Sequence, residues 1–193
     1  MSANPLETYA DELRRWNKAV NLVSPSTIAD LETRHIKDSL QLLEHLPDRP
    51  ITLMDWGSGG GLPGMVLALS RMDDVVHFVE SDMKKCEFLR HVSRETFRPV
   101  TVHTKRIEAV EPSVFKPDVL TARALAPLEQ LLAWMLPWSS SYPQLIALFP
   151  KGKSWREELS QARESFDFTC DDFASTTDPE ARILRIENLT AKA

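Results

Sequence analysis

Residues 53–64 read LMDWGSGGGLPG: an apolar run ends on Asp55, and five of the chain's six glycines follow within eight residues. Glycine adopts left-handed backbone conformations without steric cost and lets other atoms approach the main chain closely. A merely tight turn needs one or two glycines, so five together point to backbone laid bare against a ligand. The run ITLMD (51–55) has the length and composition of a buried strand, and MVLALSRM (65–72) beyond the turn reads as a helix. Strand, glycine turn and helix in that order open a doubly wound α/β sheet, whose ligands sit beyond the carboxyl ends of the strands.

The alternation continues along the chain. VVHFVE (75–80), VTVHT (100–104), PDVLTAR (117–123) and QLIALFP (144–150) read as strands, separated by the helical stretches KKCEFLRHVSRETF (84–97) and LEQLLAWML (128–136). With the first strand these predict five parallel strands of an α/β fold. FDFTCDDF (166–173) and ARILRIENL (181–189) follow each other across a short polar link, which predicts a C-terminal antiparallel hairpin and brings the sheet to seven strands. Pro137 to Pro143, with its serine run, reads as a loop. Ahead of the sheet, Leu6, Tyr9, Leu13, Trp16 and Val20 recur at helical spacing over residues 6–20. A second helix is predicted over 27–46, capped by Ser26 or Thr27, with the stripe Ile28, Leu31, Ile36, Leu40, Leu43 and Leu46, and closed by Pro47 and Pro50. The chain thus divides into an N-terminal helical extension, 1–50, and a core, 51–193.

A length of 193 residues suits one domain with a short extension. No apolar stretch reaches the ~18 residues of a membrane span. The start, MSANPLETYADELRR, carries charges where an export signal has its apolar block, so the expected location is the cytoplasm. Cys86 and Cys170 lack ligand or disulfide spacing and the five histidines are scattered, so both thiols read as reduced and structural, and no metal is expected. The net charge of −5 argues against bulk coating of nucleic acid. Its distribution is uneven: Lys84 to Arg106 holds seven Lys/Arg against two Glu, while Glu157 to Arg182 holds two Arg against eight acids. Such a basic zone permits a local nucleic-acid contact, and a solvated helix face explains it equally well.

Two cofactor classes compete for the turn. From Gly59 the letters GGGLPG fit GxGxxG, and Glu80 follows at about the 20-residue interval of a dinucleotide fingerprint, which would imply hydride chemistry. Pro63 interrupts that fingerprint, and Asp55 at the strand end repels phosphate while suiting the ammonium and sulfonium of S-adenosylmethionine. Ser58, Gly59 and Gly61 then supply backbone contacts, and Glu80 accepts the ribose hydroxyls in either class. After the third strand, KRIEAV (105–110) offers Ile107 to pack on an adenine and the Glu108 segment to bond its edge. TARALAP brings Arg123 to the same cleft, where a cofactor carboxylate, an RNA phosphate or a structural ion pair would each satisfy it. A further reading, an RNA-binding assembly factor on a degenerate enzyme fold, sits poorly with an intact Asp55, Gly57, Glu80 and Arg123 set.

RHIKDSL (34–40), DWGSGGGLPG (55–64), ESDMKKCEFL (80–89), KRIEAV, TARALAPL (121–128) and FPKG (149–152) together resemble the glucose-inhibited division protein B family, the ribosomal RNA small subunit methyltransferases G. The likeness runs in order over nearly the whole chain, from AVNLVSP (19–25) to the final strands; Gly60 stands where some members carry alanine or proline. It implies a Rossmann-like class I S-adenosylmethionine-dependent methyltransferase that methylates N7 of a guanine in the decoding-region loop of 16S rRNA and releases S-adenosylhomocysteine. It further implies that Gly57, Leu62, Ile107, Glu108 and Arg123 contact the cofactor, and that the partner is 16S rRNA or the small ribosomal subunit. A monomer is expected.

Guanine N7 has an in-plane lone pair and no proton, so the reaction needs positioning rather than a general base. Arg123, His35 and Asp38 are the positioning candidates. His35 and Asp38 lie three apart on one helical face and either border the pocket with Asn21 or pair with each other to anchor the extension. For RNA the candidates are Asn21, His35, Lys84, Lys85, Arg106 and Lys151, with Lys105 beside them; each cation taken singly reads equally as a surface charge. Trp16, Trp134, Trp138 and Trp155 read as packing residues, and Trp56 as packing under the turn.

Overall fold

The computed structural model describes residues 4–192; the first three residues of the N-terminal extension and the last residue of the chain lie outside the described residues. Period-two alternation in the central strands assigns the two faces of the sheet. In β1 (Thr52–Trp56), Leu53 joins one apolar cluster while Met54 and Trp56 join the other. The strands β2 (Val75–Glu80), β3 (Thr101–Thr104), β4 (Val119–Ala122), β5 (Ile146–Lys151), β6 (Phe166–Ala174) and β7 (Arg182–Ala191) complete a seven-stranded sheet of order β3-β2-β1-β4-β5-β7-β6. The first five run parallel, and β7 lies antiparallel between β5 and β6, as the terminal hairpin predicts. Strand order reverses between β1 and β4, which opens a ligand crevice at their carboxyl ends. Among the described residues no helix is long and apolar enough to cross a membrane.

One face is covered by α1 (Pro5–Trp16), α3 (Gly64–Ser70) and α4 (Met83–Glu95), the other by α5 (Leu128–Ser141) and α6 (Trp155–Ser165). Three of these differ from the expectation. The Pro137 loop is the last part of α5: Trp138 is buried against Trp56, and Ser140 and Ser141 return hydroxyl bonds to the Leu136 and Pro137 carbonyls, which holds the helix past the proline. Helix α6 is not among the predicted elements: it fully buries only Trp155 and Ala162, with Leu159 partly buried between them, and the rest of its sequence is polar. Helix α1 stops at Trp16 because the Asn17 side chain accepts from the Leu22 and Val23 amides and turns the chain.

The second predicted helix is not continuous. It is a 3-10 turn at Ile28–Asp30, π-helical turns at Glu32–Lys37, a single α-turn, α2 (Asp38–Leu40), and a 3-10 turn at Gln41–His45. Of its apolar stripe, Leu31, Ile36 and Leu46 join Tyr9, Leu13 and Leu22 in the cluster built on Leu53, Phe78 and Leu89, and Ile28, Leu40 and Leu43 are partly buried against it; Leu42, outside the predicted stripe, is fully buried there. A carboxylate in α1 also pairs with α4, where Glu12 meets His91 at 2.6 Å and receives Arg15 at 2.7 Å.

Helix α1 rests directly on the glycine turn. The Tyr9 hydroxyl, wholly buried, donates to the Gly60 carbonyl at 2.6 Å, and burial raises its ionisation far above the ordinary range, so it remains a donor. Tyr9→Phe leaves that carbonyl buried without its partner, and we expect a loss of about 1–3 kcal/mol in urea unfolding. An unchanged unfolding midpoint would remove this bond from the forces holding the extension in place.

Candidate active site

A β-carbon placed on each glycine in turn separates packing from ligand exposure. At Gly64 it would meet Phe78 at 2.6 Å and Asp55 at 2.7 Å, at Gly61 Met65 at 2.9 Å, and at Gly60 the Leu22 carbonyl at 3.3 Å. Packing alone is enough to require glycine at 61 and 64 and leaves little room at 60, so the glycine run does not by itself count ligand contacts. At Gly59, with φ +52°, the added carbon would touch nothing closer than 3.7 Å. At Gly57, with φ +59°, it would strike the Leu125 side chain, whose Cδ1 lies 2.4 Å away. Gly57 and Gly59 are the half-buried glycines of the turn, Gly59 with open space above it and Gly57 beneath the end of the Leu125 side chain.

Asp55 does not face the cleft. Its carboxyl is fully buried beneath the start of α3, with Oδ1 accepting from the Thr121 hydroxyl at 2.8 Å and Oδ2 without a partner among the described residues. Burial pushes its pKa up to about 7. The Ser58 hydroxyl is likewise turned inward, donating to the Asp55 carbonyl, and Leu62 is packed in the apolar cluster. The side chains of Asp55, Ser58 and Leu62 are thus turned into the protein, which leaves their backbone to meet a ligand.

Glu80, at the end of β2, is set differently. Its Oε2 accepts from the Gly59 amide at 2.9 Å and its Oε1 from the Asp82 amide at 2.8 Å. The carboxylate is thereby oriented at the rim of the turn, and each oxygen keeps further accepting capacity. Past β3, Ile107 is buried in the cluster that holds Val79, and Glu108 is exposed. Gly57, Gly59, Glu80, Ile107 and Glu108 thus belong to the carboxyl ends of β1, β2 and β3.

Arg123 follows β4 and is bound by the N-terminal segment. Its guanidinium donates to Asp38 Oδ2 at 3.2 Å, to His35 Nδ1 at 2.9 Å and to the Arg34 carbonyl at 3.4 Å. Since arginine only donates, His35 Nδ1 is the acceptor and Nε2 carries the hydrogen, directed to Thr27 Oγ1 at 2.9 Å, which in turn donates to the Ser24 carbonyl. Burial, and then the Arg123 charge, lowers the His35 pKa to about 4, in keeping with a neutral ring. Asp38 Oδ1 accepts from Gln41 and from the Thr177 hydroxyl in the β6–β7 link. His35 and Asp38 therefore do not pair with each other; they converge on Arg123.

That convergence forms one wall of a cavity of about 950 Å³, lined further by Ala124 to Pro127, Pro150 to Gly152, Glu158 and residues 177–183. Arg34, Arg123, Lys151 and Arg182 bring positive charge to it. Lys151 is neither the free phosphate contact nor the solvated lysine that the sequence suggests. Its side chain is nine-tenths buried, and Nζ donates to the Ala126 carbonyl at 2.8 Å and to Glu158 at 2.7 Å. Asn21 is exposed and does not line the cavity, and Lys84, Lys85, Lys105 and Arg106 lie near the ends of β2 and β3. The sequence reading missed Arg34, Glu158 and Thr177. Only Arg34 carried a signal, its place beside His35 and Asp38; the others are joined to the site by contacts distant in sequence.

Solved structures with this architecture include methyltransferases of diverse kinds. The magnesium protoporphyrin IX methyltransferase of Synechocystis aligns over 93% of this chain and 97% of its own with a TM-score of 0.61 at 13% identity. The ribosomal protein L11 methylase of Lactobacillus delbrueckii aligns over 78% and 76% with a TM-score of 0.58 at 16% identity. The fold class is therefore that of the Rossmann-like methyltransferases. The profile of one family, rRNA small subunit methyltransferase G, matches residues 2–179. Proteins named ribosomal RNA small subunit methyltransferase G from Methylorubrum extorquens and Parvibaculum lavamentivorans are 45% and 43% identical, covering 98% and 95% of this chain and 90% and 82% of their own. The chain belongs to the rRNA small subunit methyltransferase G family.

Two outcomes follow from this geometry. Gly59→Ala adds only the left-handed strain of about 1–2 kcal/mol, whereas Gly61→Ala adds about 1–3 kcal/mol of overpacking to the same strain. Chemical unfolding that ranks Gly59→Ala as the costlier change would overturn the division of the turn. His35→Asn keeps an acceptor in the place of Nδ1. The folded wild type refuses a proton that the unfolded chain takes, so this histidine's contribution to stability is full above pH 6.5 and is lost as pH falls toward about 4. His35→Asn should flatten the acid limb of stability over that window. The opposite slope from Asp55 is common to both proteins and cancels in the difference, so parallel curves would disprove the assignment.

Proposed function

We propose that this chain transfers a methyl group from S-adenosylmethionine to N7 of a guanine in the decoding-region loop of 16S rRNA, in the cytoplasm. The observation that carries the reading is a pair of adjoining compartments with the loop 123–127 between them: the Gly57–Gly59 turn with Glu80 at its rim, and a polar cavity whose lining sets Arg34, Arg123, Lys151 and Arg182 against Asp38, Glu158, Asp178 and Glu180. The residues present fit the cofactor. Gly59 leaves open space where any other residue would project, Glu80 is oriented by two backbone amides with lone pairs left for ribose hydroxyls, and Ile107 offers an apolar surface. When bound, S-adenosylmethionine supplies an electrophilic sulfonium methyl.

The chain's own part is to orient and to keep charge in check. Guanine N7 gives up no proton, and no side chain at the cavity has to take one. His35, the nearest candidate base to Arg123, is neutral with both ring nitrogens engaged. The Arg123 charge is partnered by Asp38, which limits its opposition to positive charge arriving on the purine. The extension, residues 1–50, helps grip RNA in this reading, because its segment 27–41 contributes Thr27, Arg34 and Gln41 to the cavity wall.

The test is transfer of labelled methyl to small-subunit particles lacking the modification, with mapping of the labelled nucleotide. We expect label on N7 of one guanine. Arg34→Ala should raise KM and reduce the log–log salt slope by about one, the signature of one lost phosphate contact. Gly59→Ala should weaken S-adenosylhomocysteine binding in a folded protein. Binding of NADH in place of S-adenosylhomocysteine would replace the methyltransferase reading with a dehydrogenase one.

A further inference from the structure

The loop Arg123–Pro127 separates the two compartments, and its shape is not self-sustaining. Ala124 lies at φ +52°, a left-handed conformation in a residue that has a β-carbon. Next to it, Leu125 reaches over Gly57, so the loop overlies the open part of the turn on one side and lines the cavity on the other. The segment is fastened at both ends. At its start Arg123 is held by His35 and Asp38. At its end the Lys151 ammonium donates to the Ala126 carbonyl, and Glu158 of α6 accepts the Leu128 amide at 2.9 Å, the first N–H of α5.

Pro127 precedes α5 and provides no side-chain cap, so the orphan amide at the helix start is satisfied by a carboxylate from another helix. The same Glu158 oxygen receives Lys151 at 2.7 Å, and Ser154 donates to the other oxygen. These neighbours hold the Glu158 carboxyl below its ordinary range in spite of its burial.

We propose that Lys151 and Glu158 are positioning residues: a buried ion pair that holds the loop 123–127 as the shared wall between the glycine turn and the cavity, and so sets the distance across which the group is transferred. This rests on the methyltransferase reading above for what the wall divides. Neither residue touches the reacting atoms. Lys151 thereby serves the reaction through the Ala126 carbonyl rather than through RNA.

The test uses the full chain and three variants, Glu158→Gln, Lys151→Met and Lys151→Arg. Amide hydrogen exchange at Leu128 and over the loop is measured first, without substrate. Both Glu158→Gln and Lys151→Met should speed exchange there, while Lys151→Arg, which keeps the pair, should leave it near the wild-type rate; unchanged exchange in the first two overturns the proposal. Should one of those variants not fold, the other breaks the same pair. On small-subunit particles, kcat should fall by about tenfold or more with little change in KM, with Lys151→Arg restoring most of it and the salt slope unaltered. A Lys151→Met enzyme with normal kcat, raised KM and a salt slope lower by about one would make Lys151 a phosphate contact and overturn the proposal. The exchange measurement decides the matter even if wild-type enzyme leaves the particles unlabelled, a result that would instead sink the functional reading.

Discussion

Backbone packed where side chains would not fit is the constraint on which this structure is built. The turn between β1 and α3 is pressed from within by Phe78 and Met65 at distances that exclude a β-carbon, Leu22 packs tightly on Gly60, and the Tyr9 hydroxyl closes on the Gly60 carbonyl. The same turn therefore has two faces with different demands. Its inner face joins the N-terminal extension to the sheet, and its outer face, Gly57 to Gly59, stays open beside Glu80. A change that loosens α1 thus reaches the ligand-facing backbone without touching it. Cofactor turn and extension share one apolar cluster, and their stabilities are coupled through it.

Charge in the site is balanced locally. Arg123 lies against Asp38, Lys151 against Glu158, and Asp55, the one acid wholly enclosed, is pushed toward its neutral form by burial. His35 is neutral for the same physical reason with the opposite sign, because burial disfavours its cation. Such a site suits a reaction in which positive charge moves and no proton is exchanged. The guanidinium and ammonium groups serve as structural donors to carbonyl, carboxylate and imidazole acceptors, Arg182 included through Asp172 and the Pro179 and Ala181 carbonyls, while Arg34 is the exposed cation at the cavity.

The sheet was legible because each strand carries its own signal: β-branched and apolar runs at the lengths of buried strands, with helices between them. The terminal hairpin was legible for a related reason, two strands in succession without room for a crossover. Helix α6 was not, since Trp155, Leu159 and Ala162 are a short apolar stripe in an otherwise polar stretch, and neither was the end of α5, where serine hydroxyls and a buried tryptophan outweigh a proline. The glycine run located the turn correctly, yet local sequence cannot tell a glycine bared for a ligand from one bared for a neighbouring helix. Gly59 and Gly61 look alike until Met65 and Leu89 are placed around the second. The partners of Arg123 were beyond reach in the same way, because His35 and Asp38 lie over eighty residues earlier and their pairing depends on π-helical turns that no apolar period announces.

The loop after β4 is where these separate constraints meet. One end is held by the extension, the other by β5 and α6, and the left-handed Ala124 between them would relax if either hold were lost. Its conformation therefore reports on the docking of elements from both ends of the chain. The extension that brings Arg34 to the cavity also fixes Arg123, and the β6–β7 link joins the same network through Thr177 and Asp38. Because an RNA seated in the cavity would touch the extension, the link and the loop together, contacts made at Arg34 would be transmitted to the wall over Gly57 through packed side chains. In the proposed reading, substrate recognition and cofactor geometry would then share one set of hydrogen bonds, in which Asp38 joins the extension to Arg123 and to Thr177.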